Sequence, residues 1–166
     1  MSALGLVTIV LITGALLVWA GFWQERYGLG AAESTAIEVF TADGWTIHAH
    51  HRAAPTRRFV EPVVLCHGFA NNFSFLEFLP PQNVAQFLTN LGFDTYSVAH
   101  RGDAHSVPPD WLVDADFDDL VRYDVPAVLE AVYAHSKKDR VLWVGHSLGG
   151  LLGLASAALT PKISGI

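Results

Sequence analysis

The chain opens with an almost unbroken apolar run. Residues 4–23 are interrupted only by small Gly and Thr residues, and no charged side chain occurs before residue 25. A helix needs about 20 apolar residues to cross the hydrocarbon core of a bilayer. Trp19, Trp23 and Tyr27 gather at the end of the run, where amphipathic rings favour the water interface. The pattern therefore predicts one transmembrane anchor over residues 1–24.

A cleaved signal peptide is the alternative for this segment. Such a peptide carries a basic N-terminal region, a shorter apolar core and a small-residue cleavage site. Here the start lacks Lys and Arg and the apolar run is long, although Gly30-Ala31-Ala32 offers a weak cleavage site. We therefore expect a single-pass membrane protein, and its orientation stays open because few basic residues flank the run. A linker is expected over 25–36 and a soluble domain over 37–166.

The start of the soluble domain alternates between apolar and polar residues, which is typical of half-buried strands. Runs over 37–40 and 45–50 flank Asp43-Gly44, a pair favoured in tight turns, and so predict a β-hairpin. Later runs are short and mostly apolar without alternation, which predicts strands buried on both faces of a sheet. These runs cover 62–66, 93–99, 141–144 and 163–166.

Segments with helical spacing separate the later strands. Residues 81–91 carry apolar side chains three and four positions apart and stop at Gly92. Residues 117–135 have one apolar face, in which Pro126 is expected to produce a kink or a break. A helix rich in small residues follows over 148–159. The alternation predicts an α/β fold with a mostly parallel sheet and an antiparallel N-terminal hairpin.

Composition and charge exclude several classes of protein. With 51% hydrophobic and 16% charged residues, the chain is too apolar to be disordered. A net charge of −6 does not favour binding to the negatively charged phosphates of nucleic acid. The single cysteine, Cys66, cannot form an internal disulfide and is predicted to be a buried core thiol. Neither the histidines of residues 48–51 nor the aspartates of residues 110–124 match a metal-site spacing, so no metal or cofactor is expected.

The segment Gly145-His146-Ser147-Leu148-Gly149 carries the clearest chemistry. It follows one predicted buried strand and opens the small-residue helix, and Gly-x-Ser-x-Gly in that setting is a nucleophile elbow. The tight turn strains the serine backbone so that its hydroxyl projects alone. Larger residues than Gly145 and Gly149 would collide across the turn. The helix that follows presents its N–H groups and its dipole to developing negative charge.

A second loop, His67-Gly68-Phe69, directly follows the buried strand over 62–66. Acyl transfer needs two N–H donors for the developing oxyanion, and we expect the backbone amides of Phe69 and Leu148 to supply them. His67 is expected to be a buried histidine that braces this loop rather than a catalytic base. His146 should point away from the Ser147 hydroxyl.

These segments resemble the N-terminal portion of the α/β-hydrolase fold, from about Ile37 to the last residue. The resemblance extends to His100-Arg101-Gly102 after a strand. The segment Tyr123-Asp124-Val125-Pro126-Ala127 is similar to that of the acid-lipase branch. The resemblance implies a serine hydrolase that cleaves small-molecule carboxylic esters or lipids through an acyl-enzyme on Ser147. Arg101 is expected to anchor its loop rather than to bind substrate.

The sequence after Ser147 contains no Asp, Glu or His, although the acid and the histidine of this fold follow the serine along the chain. We therefore expect a fragment whose acid and base lie downstream. Three alternatives stay open. An upstream histidine (His67, His100 or His105) could serve as the base, the protein could be a non-catalytic membrane-anchored hydrolase-like protein, or it could be an acyltransferase on the same fold.

Overall fold

The computed structural model describes residues 3–27, 34–77, 83–103, 106–109 and 114–166. The chain divides into two compact units, Met1–Ala32 and Glu33–Ile166. The first contains one helix, α1, over Ala3–Tyr27. In the described parts of the chain, no helix combines the length and hydropathy needed to cross a membrane, so the predicted transmembrane anchor is not confirmed. Residues 28–33 of the predicted linker and the side chains of Trp23 and Tyr27 lie outside the described residues.

The second unit is built on one sheet whose six strands run in the order β1-β2-β4-β3-β5-β6. The strands are β1 Thr35–Phe40, β2 Thr46–Arg52, β3 Val63–Cys66, β4 Thr95–Ala99, β5 Val141–Gly145 and β6 Ile163–Gly165. β1 pairs antiparallel with β2, and β2 pairs antiparallel with β4. The pairs β3–β4, β3–β5 and β5–β6 are parallel. The predicted fold class, a mostly parallel sheet with an antiparallel N-terminal hairpin, is confirmed.

The two central strands, β3 and β4, are buried along their whole length. Alternate residues of β3 serve two cores, as a strand covered on both faces requires. Val63 and Leu65 pack with Leu76 and Ala85 beneath helix α2, which covers Val84–Leu91. The opposite face belongs to the larger core, where Val64, Cys66, Tyr96 and Val98 pack with Val128, Leu129, Val132 and Leu152.

The helices agree with the sequence except at their boundaries. The sequence placed the start of α2 at residue 81, but the described helix begins at Val84, where the Asn83 side chain accepts a hydrogen bond from the Gln86 amide. Residues 78–82 lie outside the described chain. The last helix, α5, covers Leu148–Ala157 and ends two residues before the predicted position.

The long helix predicted over 117–135 contains an irregular turn. It comprises α3 (Phe117–Asp119), a π-helical turn (Leu120–Asp124) and α4 (Val125–Ser136). Pro126 has no amide hydrogen, and its ring would clash with the carbonyl of residue 122 in a regular α-helix. The wider π turn before Pro126 accommodates the ring, and the helix continues instead of breaking.

A buried arginine joins the hairpin turn, the end of β4 and this π turn. Arg101 donates from Nε to Asp124 Oδ1 at 2.8 Å and from Nη1 to Asp43 Oδ2 at 2.8 Å, and its amide donates to Asp124 Oδ2 at 3.0 Å. Burial raises the pKa of the Asp124 carboxyl, against the opposing effect of Arg101. Burial also acts to raise the pKa of Asp43, but the bonds from Arg101 and Thr41 outweigh it and lower that pKa. The expected loop-anchoring role of Arg101 agrees with these contacts.

Replacing Asp124 with Ala should lower the free energy of unfolding by about 3 kcal/mol, because it leaves the Arg101 charge partly uncompensated in the interior. Urea denaturation followed by circular dichroism measures the change. Asp118→Ala, on the exposed side of the same helix, is the control and should cost at most about 1 kcal/mol. Equal losses in the two variants would contradict the role assigned to the buried pair.

Candidate active site

Three loops meet at one edge of the sheet, because the carboxyl ends of parallel strands point the same way. His67-Gly68 follows β3, His100-Arg101 follows β4, and His146-Ser147 follows β5. β3 lies between β4 and β5, so the loop after β3 is flanked by the other two. The carboxyl ends of these strands therefore bring together the predicted site residues and His100, which the sequence left open as an alternative base.

Ser147 has the strained backbone expected of a nucleophile elbow, with φ 52° and ψ −116°. A positive φ is unfavourable for any residue with a Cβ atom. The turn is held by two backbone bonds, from the Gly149 amide to the His146 carbonyl at 3.0 Å and from the Gly150 amide to the Ser147 carbonyl at 2.9 Å. The Ser147 side chain lies exposed at the start of α5.

Gly145 and Gly149 are required because backbone segments touch at both positions. A Cβ on Gly145 would collide with the backbone of Gly149, and a Cβ on Gly149 would collide with the carbonyl of Cys66 at the end of β3. The His146 amide donates to that same Cys66 carbonyl at 3.0 Å. The serine turn is thereby fixed directly to the neighbouring strand.

Helix α5 approaches β5 through a second glycine that the sequence analysis did not single out. The buried Trp143 ring occupies the space where a Gly153 side chain would lie, and its Nε1 donates to the Gly149 carbonyl at 2.8 Å. The sequence signal for this packing was the spacing of four residues between Gly149 and Gly153, together with a tryptophan on the preceding strand. This packing fixes the direction in which the N-terminus of α5 points.

The loop after β3 lies against the serine turn at Gly68. A Cβ on Gly68 would come within 2.8 Å of His146 Nδ1 and 3.0 Å of Ser147 Cβ. Phe69 follows with 80% of its side chain exposed. Leu148 is the first residue of α5, a position where the backbone N–H has no partner within the helix. The amides of Phe69 and Leu148 thus belong to segments that adjoin Ser147 on two sides.

His67 is fully buried and holds the backbone of its own loop. Its Nδ1 donates to the Gly68 carbonyl at 2.9 Å, and its Nε2 lies 3.5 Å from Asp103 Oδ2. The ring stacks on His100 with centroids 4.1 Å apart. Both ring nitrogens of His67 therefore face other groups, which disfavours its use as the base. His105, another upstream candidate, lies outside the described residues.

His100 is also held within this buried stack. Its Nδ1 donates to the Arg101 carbonyl at 2.9 Å. Burial is the main cause that lowers the pKa of His100, and the nearby His67 acts in the same direction, while the bond to the Arg101 carbonyl opposes both. The lowered pKa favours the neutral form of His100, and the neutral ring can be buried against His67 without a desolvated charge.

Beneath the serine turn, Cys66 is buried as predicted, and desolvation raises the pKa of its thiol to about 12. Its thiol is therefore protonated and takes no part in nucleophilic chemistry. Across the described segments, no group of three or more His, Cys, Asp or Glu side chains is arranged to hold a metal ion.

Ser147→Gly should raise the free energy of unfolding by about 1 kcal/mol, because glycine adopts the positive φ without the steric cost that serine bears. Ser147→Ala keeps a Cβ and the strain, so it is the matched control and should leave stability within about 0.5 kcal/mol. Urea denaturation of both variants tests the assignment. Equal stability of the Gly and Ala variants would argue against strain at this residue.

Comparison with known proteins agrees with this geometry. Residues 61–166 match the family model described as alpha/beta hydrolase fold. The chain is 25% identical over 169 residues to human lipase member N, covering 92% of this chain and 39% of that protein. It is 27% identical over 142 residues to rat gastric triacylglycerol lipase, covering 76% of this chain and 35% of that protein. The chain thus spans well under half the length of these relatives.

Solved structures show the same fold. An esterase from Pyrococcus furiosus superposes with a TM-score of 0.65 at 18% identity, covering 81% of this chain and 50% of that one. An epoxide hydrolase from Vigna radiata superposes with a TM-score of 0.58 at 23% identity, covering 79% of this chain and 36% of that one. At these identities the likeness concerns the fold alone.

Proposed function

Because the chain belongs to the α/β hydrolase fold family, we propose that it supplies the nucleophile of a serine hydrolase that cleaves carboxylic esters or lipids. One observation carries the proposal. Ser147 combines a positive φ with glycines at the two positions where a side chain would collide, and its hydroxyl-bearing side chain is exposed. The lipase relatives support the choice of esters or lipids as the substrate class.

In the proposed reaction, Ser147 Oγ attacks the carbonyl carbon of the ester while a base takes its proton. The amides of Phe69 and Leu148 stabilise the resulting oxyanion. The ester C–O bond then breaks, the alcohol leaves with a proton, and the acyl group remains on Oγ. Water attacks this acyl-enzyme in turn, which releases the carboxylic acid and restores the serine.

A serine nucleophile of this kind needs an acid and a base beside it. No Asp, Glu or His follows Ser147 in this sequence, and the chain covers only 39% of human lipase member N. The buried and bonded state of His67 argues against its substitution for a downstream histidine. We therefore propose that this chain carries the nucleophile and the oxyanion donors, and that later residues complete the triad.

Labelling with a fluorophosphonate probe tests the nucleophile. The full-length protein should be labelled, and Ser147→Ala should reduce the labelling rate at least about 100-fold, because the probe bonds covalently to an activated serine oxygen. Ser156→Ala, on the same helix and buried away from the turn, is the matched control and should label at the parental rate.

Two outcomes would contradict the proposal in different ways. Undiminished labelling of Ser147→Ala would mean that another residue is the nucleophile. A full-length protein that is not labelled at all would instead favour the non-catalytic alternative. Product analysis with a competing alcohol separates hydrolysis from acyl transfer.

We also propose that α1 holds the protein at a membrane, as a single-pass anchor. The support is that its apolar side chains are broadly exposed, among them Leu11 and Leu17 at 68% and Val18 at 74%, with no charged side chain before residue 25. Side chains of this kind are stabilised in hydrocarbon rather than in water.

Membrane fractionation with carbonate extraction tests the anchor. The parent should stay in the pellet, whereas Leu11→Lys/Leu17→Lys should shift most of the protein to the supernatant, because each lysine near a helix centre costs about 3 kcal/mol on insertion. Leu159→Lys, an exposed leucine of the second unit, should leave the distribution unchanged. Release of the parent itself by carbonate would rule out an integral anchor.

A further inference from the structure

One buried carboxylate contacts the loop that carries Phe69 at two points. Asp103 Oδ2 accepts a hydrogen bond from the Phe73 amide at 3.1 Å and lies 3.5 Å from His67 Nε2. The Asp103 and His67 side chains are both fully shielded from solvent. Asp103 follows β4, whereas the loop follows β3, so the contact ties together the ends of two neighbouring strands.

The His67 ring lies between Asp103 and the Gly68 peptide, with one ring nitrogen facing each of them. The Gly68 carbonyl can only accept, so His67 Nδ1 carries a hydrogen and donates it at 2.9 Å. On the other side of the ring, Nε2 lies 3.5 Å from Asp103 Oδ2, so a displacement of the carboxylate would change where the ring can lie. The carboxylate therefore acts on Gly68 through the imidazole.

The Gly68 backbone has little freedom to absorb a change in this contact. On one side it receives the bond from His67, and on the other it lies against His146 and Ser147, where even a Cβ would be too close. Phe69 is the next residue, so its amide direction follows from the position of the Gly68 peptide. Displacement of a catalytic donor by about 1 Å is enough to affect the rate strongly.

We propose that Asp103 is a positioning residue that, through His67 and the Phe73 amide, holds the Phe69 N–H in the direction needed by the developing oxyanion. This inference rests on the proposed function, since it concerns the same serine site. Asp103 touches no reacting atom. Its effect is therefore expected on the transition state more than on substrate binding, and so on kcat more than on KM.

Steady-state hydrolysis of p-nitrophenyl butyrate by the full-length protein tests the proposal with three variants. Asp103→Asn keeps the shape and, with its amide oxygen in the Oδ2 position, still accepts from the Phe73 amide, so kcat should stay within about threefold. Asp103→Glu keeps the charge but moves the oxygens by one methylene group. It should lower kcat by roughly 10-fold or more with KM nearly unchanged, and Asp103→Ala should do the same. The loss in kcat should not exceed the roughly 10²–10³-fold effect of removing an oxyanion donor.

Asp94→Ala is the matched control. Asp94 is also buried and lies at the opposite end of β4, where it accepts from the Ala54 amide at 3.0 Å. Its removal should destabilise the sheet without changing kcat by more than about twofold. Because the Asn and Glu variants each retain part of the native group, the comparison remains available even where the Ala variant does not fold.

The outcomes separate this inference from the function on which it rests. If Ser147→Ala is inactive while Asp103→Glu and Asp103→Ala keep the parental kcat, the positioning role is wrong and the hydrolase proposal stands. Equal kcat losses in Asp103→Asn and Asp103→Ala, or an equal loss in Asp94→Ala, would also overturn the positioning role. If Ser147→Ala keeps full activity, the proposed function fails and this inference fails with it.

Discussion

The site depends on one close approach of backbone to backbone, between the first turn of α5 and the last residue of β3. There, Gly149 lies so close to the Cys66 carbonyl that a Cβ atom at position 149 would collide with it. The same carbonyl accepts a hydrogen bond from the His146 amide, so the turn both packs against the strand and is hydrogen-bonded to it. Ser147 lies between these two contacts, and its unfavourable φ is maintained because both neighbours are fixed. Strain of this kind persists only where the surroundings over-determine it.

Outward from this contact, each layer of the site constrains the next. Trp143 and Gly153 set the direction of α5, and Gly68 sets the distance between the two loops at the strand ends. The buried His67 ring, stacked on His100, then donates a hydrogen bond to the Gly68 carbonyl. On the face of the larger core, Val128, Leu129 and Val132 of α4 pack against the sheet through apolar contacts.

Local pattern was sufficient to predict the parts of the structure that depend on neighbours along the chain. The continuous apolar run of β3 and the glycines around Ser147 located a buried strand and the strained turn. The sequence predicted only a kink or a break at Pro126 and not the π turn, because whether a proline breaks or widens a helix depends on what holds the helix in place. The contacts of Asp103 and the pairing of Arg101 with Asp43 join residues 30 and 58 positions apart. Single-residue patterns contain no information about such pairings, and fold topology alone brings them together.

The burial of Cys66 gives the molecule an internal chemical reporter. It is the only cysteine in the chain, it lies in the central strand directly beneath the serine turn, and its thiol has a pKa of about 12. Alkylation requires the thiolate and an open path, so the native sheet withholds both at once. Separation of β3 from its neighbours would expose the sulfur and restore its ordinary acidity. The rate at which this thiol is modified therefore reads out how often the strand that supports the site leaves the sheet.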